Sequence, residues 1–164
     1  MEEELQDYIN KNMPKIAMAN KGAKSEYNQY KALKQIFGKN NIEKHKDGNK
    51  SKYDFTILLP SGPVRMEHKR ARNDCYANGD LKAELHKSRK SGNSKKGRLY
   101  EINRFDIVSI DISEHTGIDN DTRYARIEHL MRHEEHEDCL KPMQRIPVDD
   151  FTIWKRSIQE LLKS

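Results

Sequence analysis

A chain of 164 residues has room for one ordinary domain with a single core. Hydrophobic residues are 34% of it and charged residues 35%, and mean hydropathy is −1.05, so no apolar run approaches the ~20 residues that span a bilayer. Two cysteines, Cys75 and Cys139, are too few for a disulfide framework, and the acidic start Met1-Glu2-Glu3-Glu4 is the reverse of a basic leader.

These features predict a soluble, reduced, cytoplasmic protein without membrane contact. A net charge of +5 and a pI near 9.1 favour a polyanionic partner. In chain order, Glu2 to Asn12 reads as a short helix with Leu5, Tyr8 and Ile9 on one side. Pro14 and the stretch to Gly22 read as a linker. Residues 1–20 are therefore expected to be an arm with a short helix, and 21–164 a single domain. Ser25 is a predicted N-cap for a helix that runs to Phe37 and is closed by Gly38. Tyr27, Tyr30, Leu33, Ile36 and Phe37 recur at helical spacing and should face a sheet. Glu26 falls in the first turn, where a carboxylate favours the positive end of the helix dipole. Asn41 to His45 reads as a first strand.

Tyr53 to Leu59 and Val64 to Met66 flank Pro60-Ser61-Gly62-Pro63, which predicts two strands joined by a tight turn. Alternation sends Val64, Met66 and His68 one way, and Arg65, Glu67 and Lys69 the other. A carboxylate and an ammonium then share a face, with Asp54 available from the neighbouring strand. Two carboxylates can hold a divalent metal through oxygen, as Mg2+ prefers. The lysine beside them can orient a water or stabilise charge developing on a phosphate. An acid followed by lysine at the second position occurs twice, at Glu67/Lys69 and Asp80/Lys82, and only the first lies on an apolar strand. His68 alternates away from Glu67, which predicts a satisfied histidine rather than a ligand.

A basic segment follows, with Arg70, Arg72, Lys82, Lys87, Arg89, Lys90, Lys95, Lys96 and Arg98. Asp80 to Lys90 reads as helical and the Ser/Gly/Lys stretch to Gly97 as a mobile loop, suited to tracking a phosphate backbone. Tyr100 to Ile112 is a predicted strand with Asp106 and Asp111 in structural roles, and Ser113 to Thr122 a polar loop. Arg123 to Leu140 reads as a charged amphipathic helix with Ile127, Leu130 and Met131 inward. On it His129, His133 and His136 would share a face near Cys139, a zinc-like spacing without a second ligand pair. Pro147-Val148-Asp149-Asp150 opens a predicted final helix with Phe151, Trp154, Ile158, Leu161 and Leu162 as its apolar stripe.

Asp54 followed a strand later by Glu67-His68-Lys69 resembles the signature of the PD-(D/E)xK nuclease superfamily, which includes restriction endonucleases and archaeal Holliday-junction resolvases. Tyr53 stands where a proline is usual. Gly22-Ala23-Lys24-Ser25-Glu26 resembles the Gly-x-x-x-Glu that opens the first helix of resolvase-like members. The resemblance covers roughly residues 21–112. It implies an α/β, restriction-endonuclease-like αβββαβ core, a small mixed sheet flanked by helices. It also implies a Mg2+-dependent DNA endonuclease in which Mn2+ substitutes. Asp54, Glu67 and an auxiliary Glu26 would be its metal ligands, with Lys69 orienting water. Arg70, Arg72, Lys87, Arg89, Lys95, Lys96 and Arg98 are the expected contacts to double-stranded or branched DNA. A restriction-type enzyme is favoured over a junction resolvase or DNA-repair nuclease because the basic loop and C-terminal helices extend beyond the core. Whether it forms a homodimer is left open. The alternatives are a non-catalytic nucleic-acid-binding module of the same fold and a zinc-stabilised interaction domain on the histidine helix.

Overall fold

Two residues, Pro60 and Ser61, turn the chain between the central strands, and the register they set positions everything that follows. The computed structural model describes residues 2–12, 17–45, 53–87 and 97–164. Helix α1 (Glu2–Asn12) precedes the long helix α2 (Ala17–Phe37). Strands β1 (Ile42–Lys44), β2 (Phe55–Leu59) and β3 (Gly62–Arg70) form an antiparallel meander, as expected from their alternation. Strand β5 (Ile107–Asp111) joins β3 in parallel, and β6 (Thr122–Arg126) closes the other edge antiparallel to β5. The five-stranded sheet thus has the order β1-β2-β3-β5-β6.

The path from β3 to β5 departs from the αβββαβ expectation. Among the described residues it contains no helix; it contains strand β4 (Leu81–Glu84), which pairs antiparallel with the distant β7 (Met143–Ile146) in a separate ribbon. The helix expected over Asp80 to Lys90 is therefore corrected. Leu81 and Ala83 are buried while Lys82 and Glu84 stay outside, a period of two that a strand partner rewards. Residues 88–96, which include most of the expected basic loop, lie outside the described residues.

Each face of the sheet has its own core. On one, α2 and the short helix α4 (Ile158–Lys163) bring Leu33, Ile158 and Leu161 against Phe55, Ile57, Met66 and Ile107. On the other, the β4–β7 ribbon and neighbouring loops bring Leu81, Leu85, Phe105, Leu140, Ile146 and Trp154 against Val108, Ile110 and Ala125. Trp154 is buried, as expected of a core anchor, but it precedes the last helix and packs in the core opposite Ile158 and Leu161, so the predicted single stripe is corrected. No helix among the described residues is long and apolar enough to cross a membrane.

Further expectations change. Helix α2 starts at Ala17, because Ala, Met and Lys before Ser25 are good helix formers and Gly22 is tolerated within them. Ser25 is therefore a mid-helix residue and Glu26 is not in a first turn. The helix does end at Phe37, with Gly38 at φ 91° and its N–H on the Lys34 carbonyl at 2.8 Å; Ile36, expected inward, is 40% exposed. The strand expected from Tyr100 covers only 107–111. Arg123 to Leu140 is not a helix. It is β6, a 3-10 turn at Ile127–His129 and a loop, since Tyr124 and Ala125 bury opposite faces in the two cores. A short helix α3 (Ser113–Thr116) interrupts the predicted polar loop. The final helix begins at Ile158 rather than near Asp149. Its cap is Ser157, whose hydroxyl accepts the Glu160 N–H at 3.1 Å.

Candidate active site

Phe55 pairs with Met66, so Asp54 sits beside Glu67 one rung beyond the last paired residues of β2. The backbone anchors it there. The Asp54 N–H donates to the Met66 carbonyl at 3.0 Å, and its carboxylate Oδ2 accepts the His68 N–H at 2.9 Å. The pleat of β3 sends Glu67 and Lys69 to the ribbon side of the sheet and Met66 and His68 to the α2 side, as alternation requires.

Glu67 is only 8% exposed. Burial raises its pKa well above the ordinary carboxylate value, and the adjoining charge of Asp54 and a hydrogen bond to that carboxyl raise it further. The Lys69 ammonium and the Arg104 guanidinium act in the opposite sense. Tyr100 lies against the same pair: burial first, then the charges of Glu67 and Asp54, push its phenol far up. Lys69 Nζ stands 5.5 Å from the centre of the Tyr100 ring, and the Arg104 guanidinium 5.3 Å from it. Arg104 also reaches Glu101 at 3.7 Å. Two acids and two cations therefore converge around one buried aromatic ring.

Sequence reasoning named Asp54, Glu67 and Lys69 and missed Tyr100 and Arg104. Those two reach the site only because β5 runs parallel to β3 and places the residues before it beneath Glu67. The Glu26 carboxylate is elsewhere. Its helix packs on the opposite face of the sheet, and Glu26 meets Lys44 at 3.9 Å. Among the described residues no three His, Cys, Asp or Glu side chains gather as a metal-ligating cluster. His129, His133 and His136 share no helix face. His133 and His136 stack at 5.0 Å between ring centres, and His133 Nδ1 accepts the N–H groups of Glu135 and His136.

His68 is a satisfied buried histidine. Ser25 Oγ donates to Asp111 Oδ2 at 2.5 Å, so it accepts from His68 Nε2 at 2.8 Å, and His68 Nδ1 accepts from Ser109 Oγ at 2.7 Å. Burial lowers its pKa to about 4.

The expected DNA contacts divide. Arg70 pairs with Glu114, and Arg72 with Asp74 and Glu84, along a groove of about 480 Å3 that also exposes Lys69. Lys87 is buried and pairs with Glu101 at 3.0 Å, which makes it a packing residue. Arg98 is exposed. Arg89, Lys95 and Lys96 lie outside the described residues.

No family model and no curated protein matches the chain. Among solved structures it is similar to a bacterial homing endonuclease, I-Ssp6803I, with a TM-score of 0.54 and 14% identity over 88% of this chain and 86% of that one. At that identity the likeness is one of fold, and the fold is one that an endonuclease uses.

Proposed function

We propose that this chain is a Mg2+-dependent DNA endonuclease of restriction type, hydrolysing phosphodiester bonds at the Asp54–Glu67–Lys69 face of β3. The observation that carries this reading is the meeting of Asp54 and Glu67 on one sheet face with Lys69 two residues on. A buried glutamate pressed against an aspartate is costly when both are ionised. A hard divalent cation held by these oxygens relieves that repulsion, so the donor set fits Mg2+ or Mn2+. Asp54 and Glu67 would hold the ion, with Glu26 left out because it pairs with Lys44 on the other face. When bound, the ion supplies Lewis-acid polarisation of the phosphate and a more acidic water.

The protein's own groups supply the rest. The Lys69 ammonium offers donors to the attacking water or a non-bridging phosphate oxygen. Arg104 stabilises negative charge as the phosphorus–oxygen bond to water forms and the ester bond breaks. Tyr100 excludes solvent beneath both cations and strengthens their fields.

The test is a plasmid digest beside a gel shift, one metal at a time after chelation. Mg2+ and Mn2+ should support cleavage. Ca2+, with more ligands at about 2.3–2.6 Å and looser geometry, should support binding without cleavage. Cleavage that survives excess chelator would exclude the metal role. Binding with no cleavage in any metal would leave a non-catalytic DNA-binding module.

A further inference from the structure

The β4–β7 ribbon carries more ordered charge than its packing requires. Its inner side chains, Leu81, Ala83, Gln144 and Ile146, are buried, and its outer face sets Lys82 opposite Arg145. Each outward cation is held by a carboxylate. Arg145 lies 3.2 Å from Asp80, and Lys82 lies 3.0 Å from Asp74. Both also stand over the Tyr76 ring, at 3.8 and 4.9 Å from its centre. Arg72, arriving from β3, reaches Glu84 at 3.1 Å.

Arg145 is the exposed member of its pair while Asp80 is buried, and a pair with one partner in solvent adds little to stability and costs side-chain freedom. Nor does a face of alternating sign suit a phosphate backbone, which calls for cations alone. It does suit base edges. Guanidinium and ammonium donors meet guanine N7 and O6, and carboxylates accept from cytosine N4. The major groove of DNA, about 12 Å wide, admits a two-stranded ribbon. One end of this ribbon also borders the cutting site, since Glu84 and His86 line the same groove as Lys69 and Arg72.

Resting on the endonuclease reading, we propose that the outer face of β4–β7 enters the major groove and reads sequence. Arg145 and Lys82 are its donors and Glu84 is an acceptor, while the adjoining groove leads the backbone to Lys69.

The experiment is selection of bound duplexes from a randomised pool in Ca2+, with wild type, Arg145→Lys, Arg145→Gln and Lys82→Gln, each checked by thermal melting. Arg145→Lys keeps the charge but loses the planar fork. It should therefore lose about ten- to a hundredfold discrimination at one or two base positions with its salt dependence unchanged. Arg145→Gln and Lys82→Gln should relax the preference at distinct positions. Variants that recover the wild-type sequence overturn the proposal. So does affinity that falls equally for all sequences while the slope of log K on log salt drops by about one, the mark of a phosphate contact. A wild-type chain that cuts plasmid but selects no sequence overturns the ribbon reading alone. One that neither binds nor cuts DNA overturns the endonuclease reading with it.

Discussion

Glu67 gives up its proton reluctantly because it is nearly out of water, and because Asp54 stands beside it on the same face of the β2–β3 pair. In that arrangement burial and the neighbouring carboxyl both disfavour the ionised form of Glu67. The pair is therefore a point of weakness until a cation joins it, and that weakness can be measured.

The folded chain binds the Glu67 proton more tightly than the unfolded chain does. This carboxyl therefore favours folding at low pH, and that contribution is lost as pH rises from the ordinary 4.5 through the raised value. At pH 8 in chelator, Glu67→Gln should melt above wild type, and Mg2+ should raise the wild-type Tm more than the variant's. Glu67→Gln and Asp54→Asn should each abolish cleavage while DNA binding persists or strengthens. Normal cleavage by either folded variant would remove the pair from the chemistry.

His68 runs in the opposite sense. Its folded pKa, about 4, lies below the ordinary 6.5, so the unfolded chain binds the proton first as pH falls. Stability from this group is present above pH 6.5 and drains away toward pH 4, on the order of 3 kcal/mol in all. Denaturant unfolding of wild type and His68→Gln from pH 7.5 to 4 should show the steeper loss in wild type. Parallel curves would mean that the buried imidazole is not the titrating group.

Arg104 is the residue that tests charge stabilisation. Arg104→Ala should lower the cleavage rate at saturating DNA roughly 100- to 1,000-fold, the scale seen when one preorganised donor to a transition state is removed. DNA affinity in Ca2+ should change only a few-fold. A loss confined to affinity would make Arg104 a binding residue.

Lys87 and Arg98 were alike as cations in the sequence and differ in the structure. Lys87→Met, which breaks the pair between buried Lys87 and the half-exposed Glu101, should lower the melting temperature and leave the salt dependence of DNA binding alone. Neutralising Lys95, Lys96 and Arg98 together should flatten the slope of log K on log salt by up to about one unit per lost phosphate contact. An unchanged slope would return that stretch to an ordinary solvated surface.

Asp54, Glu67 and Lys69 could be read from the chain because one hairpin brings them together, and period-two alternation decides which side chains share a face. Arg104 and Tyr100 carry no local mark. Their position depends on a parallel strand pairing that only the whole fold creates. The segment after Asp80 failed for a related reason, since Leu-Lys-Ala-Glu is rich in helix formers and its strand partner lies beyond residue 140. The helix expected after Arg123 failed because Ile127, Leu130 and Met131 recur at helical intervals while Tyr124 and Ala125 are committed to opposite cores as a strand. Ser25 looked like a cap because Ser usually is one, yet its hydroxyl is spent on Asp111 and His68 in mid-helix.

The last helix and the turn before it have a consequence for truncation. Trp154 completes the core beneath the ribbon, and Ile158 and Leu161 complete the one beneath α2. Both cores lack members until these residues are made, although the carboxylate hairpin lies ninety or so positions earlier in the chain. A chain cut before Trp154 would therefore leave the core on the Glu67 side incomplete, while one cut just after it would open only the face that α2 covers.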